Sequence, residues 1–128
     1  MVRLQGSATL MKQFSLKKQE PKESEIQSAI CEYLQRKGHF FWRQNNAGIQ
    51  RTGADGRQFW TTNKYSMRGV ADIICFDKTR TGIATFIEVK RPSGRLSEDQ
   101  ELFKMACEDH GCEYLIVKSI DDLQEFGL

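Results

Sequence analysis

The sequence predicts an α/β domain in which a mixed central β-sheet is flanked by helices. Three observations lead there. Residues 24–37 and 97–110 repeat apolar side chains with helical spacing. Short apolar or aromatic runs of strand length lie at 39–43, 70–76, 83–90 and 112–117. Their order is helix, strand, irregular stretch, two strands, helix, strand, helix, which is that of an α/β chain rather than a bundle or a sandwich. The 128 residues suffice for one core, and 39% hydrophobic with 28% charged residues is an ordinary globular composition. No apolar run approaches the ~20 residues of a membrane span. The N-terminal residues also lack the apolar core of a secretory signal. An intracellular protein is expected, and the four cysteines are not read as disulfides.

Taken in order, residues 1–20 have no apolar period and carry Arg3, Lys12, Lys17 and Lys18. They are expected to be a basic arm, mobile or weakly docked, ahead of a single domain over 21–128. In the first helix Ser24 and Gln27 have capping-box spacing, and Ile26, Ala29, Ile30, Tyr33 and Leu34 form one stripe before Gly38. His39 to Arg43 reads as an aromatic strand. Residues 45–69 are irregular and glycine-punctuated, with a short hairpin around Asp55-Gly56 that places Phe59 and Trp60 on its second arm. Trp42 is assigned to the core, and Trp60 and Tyr65 to a contact or dimer surface. Residues 70–76 and 83–90 are the arms of a β-hairpin with its turn at 77–82. Ser97 caps the second helix and Gln100 completes its capping box. Leu102, Phe103, Ala106 and Cys107 form its buried stripe, and Gly111 ends it. A strand over 112–117 and a helix over 120–126 follow.

Cys31 and Cys75 read as small core residues. Cys107, His110 and Cys112 cluster, but no second ligand pair accompanies them and Gly111 separates them, so no zinc site is assigned. His39 and His110 have no acid or nucleophile beside them and read as surface or packing residues.

The hairpin carries the chemistry. With its turn centred on Arg80, residues whose numbers sum to 160 face each other, so Asp72 lies opposite Glu88. Strand alternation puts Lys90 on the same face, and a one-residue slip would undo the arrangement. Each acid interrupts an apolar run, Val70-Ala71/Ile73-Ile74 and Ile83–Ile87/Val89 respectively. Opposed like charges repel, and burial sharpens the conflict. A divalent cation resolves it, since Mg²⁺ takes hard oxygen ligands from one or two carboxylates, water and phosphate. Lys90 is then placed to orient an attacking water or to offset charge on a phosphoryl transition state. The competing reading is a structural salt bridge from Asp72 or Glu88 to Lys90.

Net charge is only +2, but residues 40–70 hold Arg43, Arg51, Arg57, Lys64 and Arg68 against Asp55 alone. Such a one-sided stretch suits phosphate contacts, and solvated loop charges are the alternative.

Gly69-Val70-Ala71-Asp72, then Glu88-Val89-Lys90, then Ser97-Glu98-Asp99-Gln100 together resemble the motif series of the PD-(D/E)XK nuclease superfamily. The likeness is closest to its VRR-NUC branch, whose small stand-alone members are common in bacteriophages. A glutamate in the first helix, Glu25, and the stretch Trp42-Arg43-Gln44-Asn45 extend it over about residues 23–126. Ala71 departs from the pattern, standing where a proline often precedes the acid. The resemblance implies a restriction-endonuclease-like fold and a Mg²⁺- or Mn²⁺-dependent endodeoxyribonuclease. It implies that Asp72, Glu88, the Val89 carbonyl and Glu25 serve the metal, that Lys90 serves the water, and that Gln100 lies near the active site. Asn45 joins the basic residues as a candidate DNA contact. No dedicated sequence-reading element is visible, so the expected partner is branched DNA, cut in the manner of a Holliday-junction resolvase by a homodimer in a bacterial cytoplasm. The rival is a non-catalytic module that binds branched DNA or a partner protein, and an RNA nuclease shares the fold.

Overall fold

The structure is a computed structural model, and it describes residues 19–44, 49–61 and 65–128. Expectations for residues 1–18, for Asn45 and Lys64, and for the Trp60 side chain fall outside what it describes.

The elements are α1 (Glu23–Arg36), β1 (Phe40–Arg43), β2 (Ile49–Thr52), β3 (Gln58–Thr61), β4 (Ile73–Phe76), β5 (Thr85–Val89), α2 (Glu98–Asp109), β6 (Glu113–Val117) and α3 (Ile120–Phe126). The main sheet has four strands in the order β1-β4-β5-β6. β1 and β4 are antiparallel, as are β4 and β5, whereas β5 and β6 are parallel, with α2 as the crossover between them. The sheet is therefore mixed, as the chain order requires. β2 and β3 form the separate hairpin expected around Asp55-Gly56.

Helices cover both faces. Ile26, Ile30 and Leu34 of α1 and Leu123 of α3 pack on Ile73, Cys75, Ile87, Val89 and Val117. Phe103 and Cys107 of α2 pack on Ala71 and Tyr114, with Phe86 alongside. The strand period generates this division, because odd-numbered residues of β4 and β5 face α1 and even-numbered ones face α2. No helix of the described residues is long and apolar enough to cross a membrane.

Three expectations are corrected. Lys22, not Ser24, is the N-cap of α1. Lys22 has no side-chain acceptor, and its backbone N–H is instead met by the Glu25 carboxylate at 3.3 Å. Ser24 lies inside the helix, its carbonyl accepting from the Ser28 hydroxyl at 3.0 Å. Trp42 is 42% exposed rather than in the core, because β1 is an edge strand and α2 covers only the far half of that sheet face. Leu102 is 58% exposed, since the contact stripe of α2 runs through Phe103 and Cys107.

The turn between β4 and β5 is tied down by Asp77. Its carboxylate accepts from the Thr79 and Arg80 backbone N–H groups at 2.7 and 3.0 Å and from the Arg80 guanidinium at 2.6 Å. Burial works against this charge, but the hydrogen bonds from Thr79 and Arg80 outweigh it and hold the carboxyl at about 2. Arg80 also stacks on the Phe126 ring at 4.0 Å, joining the turn to α3.

Candidate metal centre

The site forms where the β4–β5 ladder ends. Ile73 pairs with Ile87, Ile74 with Phe86 and Cys75 with Thr85, so partner numbers sum to 160 as the turn position predicts. Asp72 comes next, in a bend that leaves the ladder. Its backbone carbonyl turns to the β1 side and accepts from Gln44 N–H at 2.8 Å. Its side chain turns to the β5 side, where Oδ2 accepts from Val89 N–H at 2.8 Å. A carboxylate thus replaces the backbone acceptor that a continued strand would have offered. The splay opens the end of the sheet, and the charged groups gather there.

Glu88 is 1% exposed and lies between β4 and β6. Its Oε1 accepts from Gln100 Nε2 at 3.0 Å and lies 3.8 Å from Lys90 Nζ. Its Oε2 is buried and has no hydrogen-bond partner among the described residues. As two carboxylates, Glu88 and Asp72 are both acceptors, so they satisfy each other only through a shared proton or a cation. Burial, then the charge of Asp72, push the Glu88 carboxyl up to about 8, against the opposing pull of Lys90.

The third acid comes from α1. Oxygens of Glu23, Asp72 and Glu88 all lie within 4.8 Å of one another, the only such group of three among the described residues. A cluster of this kind, with an orphaned buried oxygen and a lysine alongside, has the donor set a hard divalent cation requires. Glu23, not Glu25, occupies this place. Successive helix residues are rotated by about 100°, so residues two apart point to nearly opposite sides and cannot both reach one centre. Glu25 instead caps α1 by accepting from Lys22 N–H, and Glu23 stands with the acids.

Gln100 has two roles in the structure. Its Oε1 accepts from Ser97 N–H at 2.8 Å, completing the capping box, while Nε2 holds Glu88. The first turn of α2 is seated by Gly69, whose φ is +72°. A Cβ built there would stand 2.3 Å from the Asp99 carbonyl oxygen, so only glycine lets this loop approach. Tyr114 went unnoticed in the sequence. It is buried beside Phe103, its hydroxyl has no hydrogen-bond partner, and burial together with the Glu88 charge raises its phenol above the ordinary range.

The basic residues lie on the exposed surface. Arg43 ends β1 and donates to Gln27 Oε1 at 3.2 Å, Arg51 lies on β2, Arg57 is 3.7 Å from Asp55, and Arg68 precedes Gly69. Cys107 is in the core and His110 Nδ1 lies 2.7 Å from the Ala106 carbonyl, positions set by packing and helix termination.

A mixed sheet with helices on both faces, and with acids and a lysine at its splayed end, is the architecture of a restriction-endonuclease-like α/β protein. The chain belongs to the VRR-NUC family: the VRR-NUC domain matches residues 21–121. Its function is of the nuclease type. Comparison with curated proteins and with solved structures found no match.

Proposed function

We propose that the chain is a Mg²⁺- or Mn²⁺-dependent DNA endonuclease that hydrolyses phosphodiester bonds, selects branched or junction structures, and acts as a homodimer, because symmetric cutting of a junction takes two centres. Residues 21–128 form the nuclease domain and residues 1–20 a basic arm that precedes it in sequence. The observation that carries this reading is the convergence of Glu23, Asp72 and Glu88 on one point, with Glu88 Oε2 unpartnered.

Asp72, Glu88 and Glu23 would hold the cation, and the Val89 carbonyl would be a further oxygen at the same strand end. A bound divalent cation supplies Lewis-acid chemistry, drawing charge from the phosphoryl oxygens and easing the ionisation of water. The protein does the rest. Gln100 fixes Glu88 Oε1 and leaves Oε2 without a protein donor among the described residues. Val89 N–H fixes one oxygen of Asp72 and leaves the other for the centre. Lys90, its side chain 12% exposed, presents an ammonium that orients the attacking water and offsets charge building on the phosphoryl group. Arg43, Asn45, Arg51, Arg57, Lys64 and Arg68 supply phosphate contacts that position DNA without reading its sequence.

The 3.8 Å Lys90–Glu88 pair is what favours the rival, a non-catalytic module in which these charges only hold the sheet together. Cleavage of linear, flap, splayed and four-way DNA, with and without Mg²⁺ or Mn²⁺, separates the two. Metal-dependent nicking of the branched substrates is expected, falling by about a hundredfold or more in Asp72→Ala, Glu88→Ala and Lys90→Ala. Wild-type cutting by all three variants would exclude the assignment.

A further inference from the structure

Among the described residues, only half of the sheet face that carries Glu88 is covered. α2 packs over β5 and β6 through Phe86, Phe103 and Tyr114. On the β1–β4 side, strand pairing puts Phe40, Trp42 and Phe76 on that same face. Their ring centroids are 5.7–6.0 Å apart, and Trp42 and Phe76 lie within 27° of parallel. Phe40 is 68% exposed and Trp42 42%.

This platform is continuous with the acid cluster. Trp42 Nε1 donates to Gln44 Oε1 at 3.3 Å, and Gln44 N–H donates to the Asp72 carbonyl at 2.8 Å. Trp42 is one strand over and two residues along from Asp72. By ordinary sheet spacing that is about 8 Å, or two to three nucleotide steps of ~3.4 Å.

We infer that the Phe40–Trp42–Phe76 platform stacks an unpaired nucleobase of the strand being cut, a few nucleotides from the scissile phosphate. This inference rests on the nuclease reading above and supplies its structure selectivity. A paired, stacked duplex hides the faces of its bases, whereas a gap, flap or junction offers them, and every base has a face that an aromatic ring can take. Arg43, Arg51, Arg57 and Arg68 are exposed and stand against Asp55 alone, a basic excess that attracts a polyanion to the chain. The platform is too small to be a dimer interface. Phe40 and Trp42 together expose on the order of 250 Å², judged from usual aromatic areas, where a stable interface takes ~800 Å² from each partner.

The test is metal-free binding, so that cutting does not intervene. The probes are a duplex with a five-nucleotide gap carrying 2-aminopurine in its unpaired strand, and the fully paired equivalent. Wild type is expected to quench the 2-aminopurine and to prefer the gapped probe. Trp42→Leu and Phe40→Leu keep an apolar side chain but lose the ring. Each is expected to lose about tenfold in gapped-probe affinity and to change duplex affinity by less than twofold, and Trp42→Phe should recover part of the loss. Phe40 is mostly exposed, so its variant tests the idea even if Trp42→Leu unfolds. Gapped-probe binding by both leucine variants at wild-type strength overturns the inference. So does a change from dimer to monomer in those variants with DNA affinity per chain unchanged. Stacking without any Mg²⁺- or Mn²⁺-dependent cutting would leave the base-stacking platform standing and sink the nuclease reading, and with it the link to a scissile phosphate.

Discussion

Glu88 shows how a single residue links stability to function. In the folded chain its carboxyl is held at about 8, against an ordinary 4.5, by burial and then by Asp72. Between those values the folded state holds a proton that the unfolded state has released. Stability owed to this group is therefore present at low pH and declines as pH rises through the window. Glu88→Gln keeps the shape and removes the charge. With chelator present, thermal melts should show wild type losing ground against Glu88→Gln from about pH 4.5 to 8. Mg²⁺ at pH 8 should restore wild type alone, because it binds only the folded carboxylate site. Parallel melting curves across that range would mean that Glu88 is not the titrating group. The grouping of Glu88, Asp72 and Lys90 was legible in the sequence, because a period of two is rigid and a carboxylate inside an apolar run has few explanations. The choice between Glu23 and Glu25 was not. Both lie in the first turn, and which of them reaches the acids depends on how α1 docks at the end of the sheet, which only the fold decides.

At the scale of elements, the site depends on two segments meeting. Asp72 is carried by the strand after Gly69, and Gln100 by the first turn of α2. Gly69 is where they touch, with a left-handed φ and with Asp99 and Gln100 backbone atoms within 2.7 Å of where a Cβ would be. Gly69→Ala is expected to destabilise the fold by about 2–4 kcal/mol in chemical denaturation, since the added methyl both strains the backbone and meets backbone it cannot displace cheaply. Any enzyme that still folds should lose turnover more than substrate affinity, because the shift moves Gln100 away from Glu88. A variant with wild-type stability and turnover would show that the contact is dispensable. The capping box at Ser97 and Gln100 was readable from residue spacing. The second bond of Gln100 to Glu88 was not, since it spans two elements whose relative placement only the fold decides.

For the whole molecule, the α/β class, the element order and the hairpin register all followed from period and punctuation, and the four-stranded mixed sheet agrees with them. Strand position within the sheet did not follow. An aromatic run reads the same at an edge as at the centre, which is why Trp42 was expected inside and is found outside. The same blindness made Leu102 look buried, because an amphipathic stripe gives a direction and not a width. What joins these levels is that the open end of the sheet, the first turn of α1 and the first turn of α2 converge on one group of acids. Titration of the protein with Mn²⁺, followed by calorimetry or electron paramagnetic resonance, examines that convergence without relying on any substrate. The expected result is saturable binding by wild type, loss of binding in Asp72→Asn, weakening by about tenfold in Glu23→Gln, and little change in Glu25→Gln. Binding at wild-type strength by Asp72→Asn, or dependence on Glu25 in place of Glu23, would contradict it.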